Sequence, residues 1–170
     1  MIQRKQSIYL LLVGIIMLIS FFVPLAIFVG ESNSLVLYLY KVEGLVPGIE
    51  TGLSPYFILP LMTIVALIVV FSIVTIFLYK KRRVQLILVR FMQLLVLTYF
   101  GLYFFHYMDV LEKLSGGFAS YEYGINIPGS TMQIPTVVFI LPLVSALLLF
   151  MASNGIKNDE KLIRSADRLR

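Results

Sequence analysis

Four long apolar runs organise the chain: Ile8–Val29, Tyr56–Tyr79, Val84–Met108 and Met132–Ala152, each 21 to 25 residues long. An α-helix rises 1.5 Å per residue, so about 20 such residues cross a hydrocarbon core of about 30 Å. Arg90 is the only Asp, Glu, Lys or Arg within these runs. Barrel strands would instead be roughly ten residues of alternating character, which none of the runs is. The pattern predicts four transmembrane helices. Arg4 and Lys5 precede the first run, as in a signal peptide. Its 22 apolar residues exceed a signal-peptide core, however, and no small-x-small pattern follows Phe28, so it reads as a retained helix.

Between the runs lie two longer polar loops, Gly30–Pro55 and Asp109–Thr131. Ser34–Val42 is rich in β-forming residues and bounded by Gly30 and Gly44, which predicts a single strand. Phe118–Ile127 alternates more clearly and is expected to pair with it, across a turn-rich connection over Gly44–Pro55. The fold class that follows is an all-α membrane protein, a four-transmembrane-helix bundle carrying a small periplasmic β-sheet cap. In outline this is similar to the claudin-like architecture, a likeness of fold that transfers no function. One domain, residues 1–170, is expected to hold all of it, with a separate tail helix over 158–170.

Composition removes the soluble alternatives. Apolar residues make up 59% and charged residues 14%, against about 45–50% and 25% in soluble domains. Such a chain needs the bilayer as solvent, which excludes disorder, a soluble enzyme and a nucleic-acid-binding tail. Cysteine is absent, so disulfides, thiolate catalysis and thiolate metal sites are excluded as well.

Charge then sets the orientation. Eleven of the fourteen basic residues lie before the first run, between the second and third, or after the fourth. The other two loops hold only Lys41 and Lys113, against Glu31, Glu43, Glu50, Asp109, Glu112 and Glu122. The positive-inside rule places both termini in the cytoplasm. Lys80, Lys81, Arg82 and Arg83 join the second and third runs, which must therefore be antiparallel neighbours. This cluster serves as an orientation anchor and as a contact for anionic headgroups.

Intramembrane ionisable groups are the natural functional candidates. Arg90 lies about 9 Å along the helix from Arg83, close enough to snorkel to the interface. Gln93, Leu97 and Gly101 follow it at helical spacing, so Arg90 and Gln93 are expected to contact another helix or a partner. His106, Asp109 and Glu112 form a weaker outer candidate at i, i+3, i+6, a set that could bind a divalent cation or orient a general base. Tyr99, Phe100, Tyr103, Phe104, Phe105 and Tyr107 surround His106 and read as an interfacial aromatic belt. A haem pocket there would lack a second histidine. Pro24 and Pro142 are expected to kink the first and fourth helices and loosen a cavity between them. Pro60 and Pro135 sit near first turns, where a missing N–H costs little. No nucleotide-binding, metalloprotease or hydrolase motif is present, so neither cofactor nor metal is expected.

In the tail, Asn158 is placed to cap a helix with Asp159 and Glu160 in its first turn and Arg164, Arg168 and Arg170 at its end. Leu162, Ile163, Ala166 and Leu169 form its apolar stripe, so it would lie on the inner leaflet or dock on a protein. With MIQRKQSIYLLL at the start, Ile156-Lys-Asn-Asp-Glu-Lys-Leu-Ile-Arg-Ser-Ala-Asp-Arg-Leu-Arg170 at the end and four spans between, the chain resembles the bacterial family named domain of unknown function 4293. That resemblance implies an inner-membrane protein of Gram-negative bacteria and implies no activity. The expected function is a non-enzymatic accessory or scaffold subunit of a larger membrane complex, with membrane lipids and a membrane protein as partners. The alternative is a small transporter, channel or ligand-binding protein that uses an outward-facing cavity.

Overall fold

The computed structural model describes residues 3–29, 34–44, 53–79, 81–115 and 137–168. The chain is mostly helical: α1 (Gln3–Ile19), α2 (Leu59–Phe77), α3 (Arg82–Leu102), α4 (Asp109–Ser115) and α5 (Val137–Arg168). Three strands, β1 (Ala26–Val29), β2 (Ser34–Leu37) and β3 (Val42–Gly44), lie between α1 and α2 in the sequence. A 3-10 turn, Pro55–Ile58, leads into α2, and a π-helical segment, Tyr103–Met108, joins α3 to α4. Helices over Tyr56–Phe77, Arg82–Leu111 and Ile140–Lys161 are long and apolar enough to cross a membrane. The first helix is shorter than expected, at 17 residues, or about 25 Å.

That shortening corrects the reading of the first apolar run. The helix stops at Ile19, the Phe22 N–H donates to the Ile19 carbonyl at 3.0 Å, and Ala26–Val29 becomes a strand. Pro24 therefore lies outside α1, where its missing N–H ends nothing and kinks nothing. Pro60 lies in the first turn of α2, as expected, and Pro142 lies inside α5. Pro135 and Phe118–Ile127 fall outside the described residues.

The residues form two compact units. The first comprises residues 1–18, 64–98 and 142–170, and its core is a helix seam. Gln6, Leu10, Val13 and Met17 of α1 are buried at intervals of four, three and four. Val65, Ile68, Ser72 and Thr75 repeat the pattern in α2, as do Gln85, Val89, Met92 and Val96 in α3. In α5 it is kept by Ser145, Leu149, Ala152, Ile156 and Asp159. A mean repeat of 3.5 residues keeps one stripe facing its neighbours, as in left-handed bundles. Large apolar side chains fill the other faces: Ile8, Val70, Leu94 and Leu147 are all more than half exposed. This arrangement is inside-out for water and suited to lipid.

Small residues set how closely these helices approach. A Cβ on Gly14 would sit 2.6 Å from Ser72 Oγ, and one on Gly155 would sit 3.0 Å from Gln6 Cγ. The buried hydroxyls satisfy themselves locally, Ser72 donating to the Val69 carbonyl (2.7 Å) and Thr75 to that of Phe71 (2.6 Å).

The second unit comprises residues 19–63 and 99–141. Its sheet has the order β1-β2-β3 and is antiparallel throughout, with Ala26 opposite Leu37 and Leu35 opposite Gly44. Ser34–Val42 is thus not one strand. A tight turn closed by the Tyr38 N–H on the Lys41 carbonyl (2.8 Å) breaks it in two. Leu25, Ala26, Leu35, Leu37 and Leu39 are buried, and α4 packs against β1 and β2.

Candidate functional site

In the first unit, the polar positions of the seam converge on one contact between chain ends 153 residues apart. Gln6 Nε2 donates to Asp159 Oδ2 at 2.6 Å, and both side chains are buried. Gly155 makes room for it, since a methyl group there would press on the Gln6 side chain. Asp159 is therefore not a first-turn residue of a separate tail helix. The fourth span and the tail are one helix, Val137–Arg168, and Asn158 is an exposed interior residue rather than a cap. The side chains of Leu162, Ile163, Arg164 and Arg168 fall outside the described set.

The α2–α3 hairpin is held as tightly. Leu78 N–H reaches the Val74 carbonyl at 3.2 Å, Lys81 N–H that of Leu78 at 2.9 Å and Gln85 N–H that of Lys81 at 3.0 Å. Gln85 Nε2 ties α3 back to the end of α2 through the Thr75 carbonyl at 3.3 Å. Lys81 and Arg83 are exposed at this hairpin, and Arg82 is half-buried with its Nη1 enclosed and, among the described residues, without a hydrogen-bond partner. Lys80 falls outside the described residues.

Arg90 and Leu97 are exposed, Gln93 is half-buried, and nothing lies within 4 Å of a Cβ built on Gly101. Among the described residues the buried seam of α3 runs through Val89, Met92 and Val96, while Arg90 and Leu97 are exposed.

At the other candidate site, in the second unit, the aromatic belt divides in two. Phe104 and Phe105 face outward, while Tyr99, Tyr103 and Tyr107 are buried. The Tyr103 hydroxyl donates to the Leu25 carbonyl (3.0 Å) and that of Tyr107 to the Phe57 carbonyl (2.8 Å). The π segment is thereby fastened to Leu25, just before β1, and to the 3-10 turn. His106 is exposed, its ring 5.7 Å from that of Phe57. Asp109 is exposed and paired with Lys113 at 2.7 Å, one turn further on. Glu112's side chain is outside the described set, and no group of three metal-binding side chains occurs among the described residues.

Nearby, Tyr40, Lys41, Val42, Ser54, Phe57 and Ile58 line a cleft of about 220 Å³. Lys41 is bonded to Glu43, and its ammonium lies 5.4 and 5.2 Å from the ring centres of Tyr38 and Tyr40. The hydrogen bond to the Glu43 carboxylate holds the Lys41 ammonium above its usual pKa. A larger apolar groove of about 410 Å³ runs between α1 and α2 in the first unit.

Sequence reasoning missed the Gln6–Asp159 contact and the glycines at 14 and 155. The available signal was the recurrence of polar and small residues at heptad spacing within otherwise apolar helices. The family model described as Domain of unknown function (DUF4293) matches residues 2–169. No curated protein and no solved structure matches the chain.

Proposed function

From the premise that this chain belongs to the DUF4293 family along essentially its whole length, we propose that it is a non-enzymatic accessory subunit of a larger membrane complex. It resides in the inner membrane of a Gram-negative bacterium, with both termini in the cytoplasm. The observation that carries this reading is the unbroken course of α5. Within the first unit it runs from Pro142 to Arg168 as a rod of about 40 Å, beyond a hydrocarbon core of about 30 Å. The Gln6–Asp159 contact braces that rod against α1 where its charged portion begins. A braced helix carrying Lys157, Lys161, Arg164 and Arg168 past the membrane offers a rigid docking element.

Arg90 and Gln93 supply a second, lateral contact on the outward side of α3, where a charged side chain is costly in lipid alone. No carboxylate lies within the four apolar runs, so no acid–base pair is set there for proton-coupled chemistry.

Affinity purification from native membranes in mild detergent tests this reading. A stoichiometric membrane-protein partner should co-purify and be lost in an Arg164→Glu/Arg168→Glu variant that still folds. Recovery of the wild-type chain alone and folded would overturn it.

A further inference from the structure

We infer that the first unit holds a specific site for an anionic phospholipid, with its phosphate at the α2–α3 hairpin and one acyl chain in the α1–α2 groove. The inference needs the chain to lie in a membrane, and it stands whether or not a protein partner exists.

Electrostatics supplies the first argument. Lys81, Arg82 and Arg83 crowd the N-terminus of α3, whose first turn contains no acidic residue. That end already carries the positive pole of the helix, equivalent to roughly half a charge, and its first N–H groups lack intrahelical acceptors. Basic side chains are normally favoured at the opposite end of a helix. Three of them here, on a hairpin held by Gln85 and its backbone bonds, repel one another until an anion arrives. A phosphate oxygen accepts from guanidinium and backbone N–H groups alike.

Arg82 supplies the second. Its Nη1 is enclosed yet has no hydrogen-bond partner among the described residues. An enclosed, unpaired donor on a charged group is expensive, and turning the half-exposed guanidinium towards a bound acceptor removes that cost.

The groove supplies the third, and it identifies the anion as a lipid. Leu11, Gly14 and Ile15 of α1 and Ser72, Ile73 and Phe77 of α2 line it. Ser72 is its polar residue, and that hydroxyl already donates to the Val69 carbonyl. The groove therefore asks for no hydrogen bonds and suits a hydrocarbon chain. Phe77 is the last residue of α2, five positions before Arg82, so the groove ends beside the cationic hairpin. Leu11, Ile15, Ile73 and Phe77 are all exposed, which leaves the groove open for a chain to enter sideways from the bilayer.

The test uses the full chain, purified in mild detergent and stripped of lipid, with bound lipid counted by native mass spectrometry. Dioleoyl phosphatidylglycerol should bind one to one and more tightly than dioleoyl phosphatidylcholine. Arg82→Gln should weaken phosphatidylglycerol binding about fivefold, the equivalent of the roughly 1 kcal/mol carried by one basic residue at an anionic surface, and leave phosphatidylcholine unchanged. Ile73→Trp, which fills the groove from an exposed position, should weaken both lipids. If Arg82→Gln fails to fold by circular dichroism, Arg82→Lys takes its place and should show a smaller loss of the same sign. Equal binding of the two lipids, an unchanged affinity in the Arg82 variant, or no effect of Ile73→Trp would overturn the assignment. So would displacement of phosphatidylglycerol by equimolar inorganic phosphate, which would reassign the hairpin to a free anion.

Discussion

Two residue pairs in the first unit show how little side-chain volume and polarity the helix seam leaves to chance. Gly14 faces Ser72 so closely that any Cβ would stand 2.6 Å from the serine oxygen. Ser72 can yield only by surrendering its bond to the Val69 carbonyl. Gly14→Ala should therefore destabilise the protein by about 1–3 kcal/mol, the usual cost of overpacking. Adding Ser72→Ala should recover most of that loss, because the next atom, Ser72 Cβ, is an ordinary 3.7 Å away. Thermal melting of the three variants in one detergent measures the coupling directly.

Gln6 and Asp159 make the complementary case. Gln6→Leu leaves a buried carboxylate without its donor and should cost about 1–3 kcal/mol in the same melts. Pairing it with Asp159→Leu removes the orphan and should restore stability towards the wild-type value.

At the scale of elements, the decisive feature is that α5 does not stop where its composition changes. Asn158 looks like the cap of a new helix, yet it lies within a single one. The distinction has a sharp consequence for Asn158→Pro. Proline at the start of a separate helix is nearly harmless, whereas inside α5 it should cost about 3 kcal/mol. A lowered melting temperature together with lost helical signal in circular dichroism is the expected result.

The other end of α1 shows the reverse effect. Ala26–Val29 continues an apolar run without interruption, yet it is a strand, because β2 supplies the hydrogen-bonding partner that a short apolar segment cannot announce by itself. The π segment is a third such case. Residues Tyr103–Met108 look like an ordinary extension of α3, but there Tyr103 and Tyr107 donate to the Leu25 and Phe57 carbonyls, which are distant in the sequence. π-helical turns often occur where side chains must be aimed in this way.

For the molecule as a whole, the orientation argument rests on where the basic residues fall in the sequence. It can be tested in a chain that contains no cysteine. Single Ser34→Cys, Ser120→Cys and Ser165→Cys variants in intact cells should react with a membrane-impermeant thiol reagent at the first two positions. The third should react only after the membrane is opened. Labelling of Ser165→Cys from outside would invert the topology and remove the docking role proposed for α5.

The membrane-crossing length of three of the four spans, the hairpin between the second and third and the asymmetry of charge were all legible in the sequence. They follow from hydrophobic transfer and from local charge, which depend on nothing distant in the chain. Tertiary structure alone decided which faces are buried, because helices apolar on every side carry no amphipathic signal for lipid to sort. It also decided that Arg90 is exposed and that Asp159 meets Gln6. Those outcomes depend on which neighbour can satisfy a backbone or side-chain polar group, and a neighbour 153 residues away is supplied only by the fold.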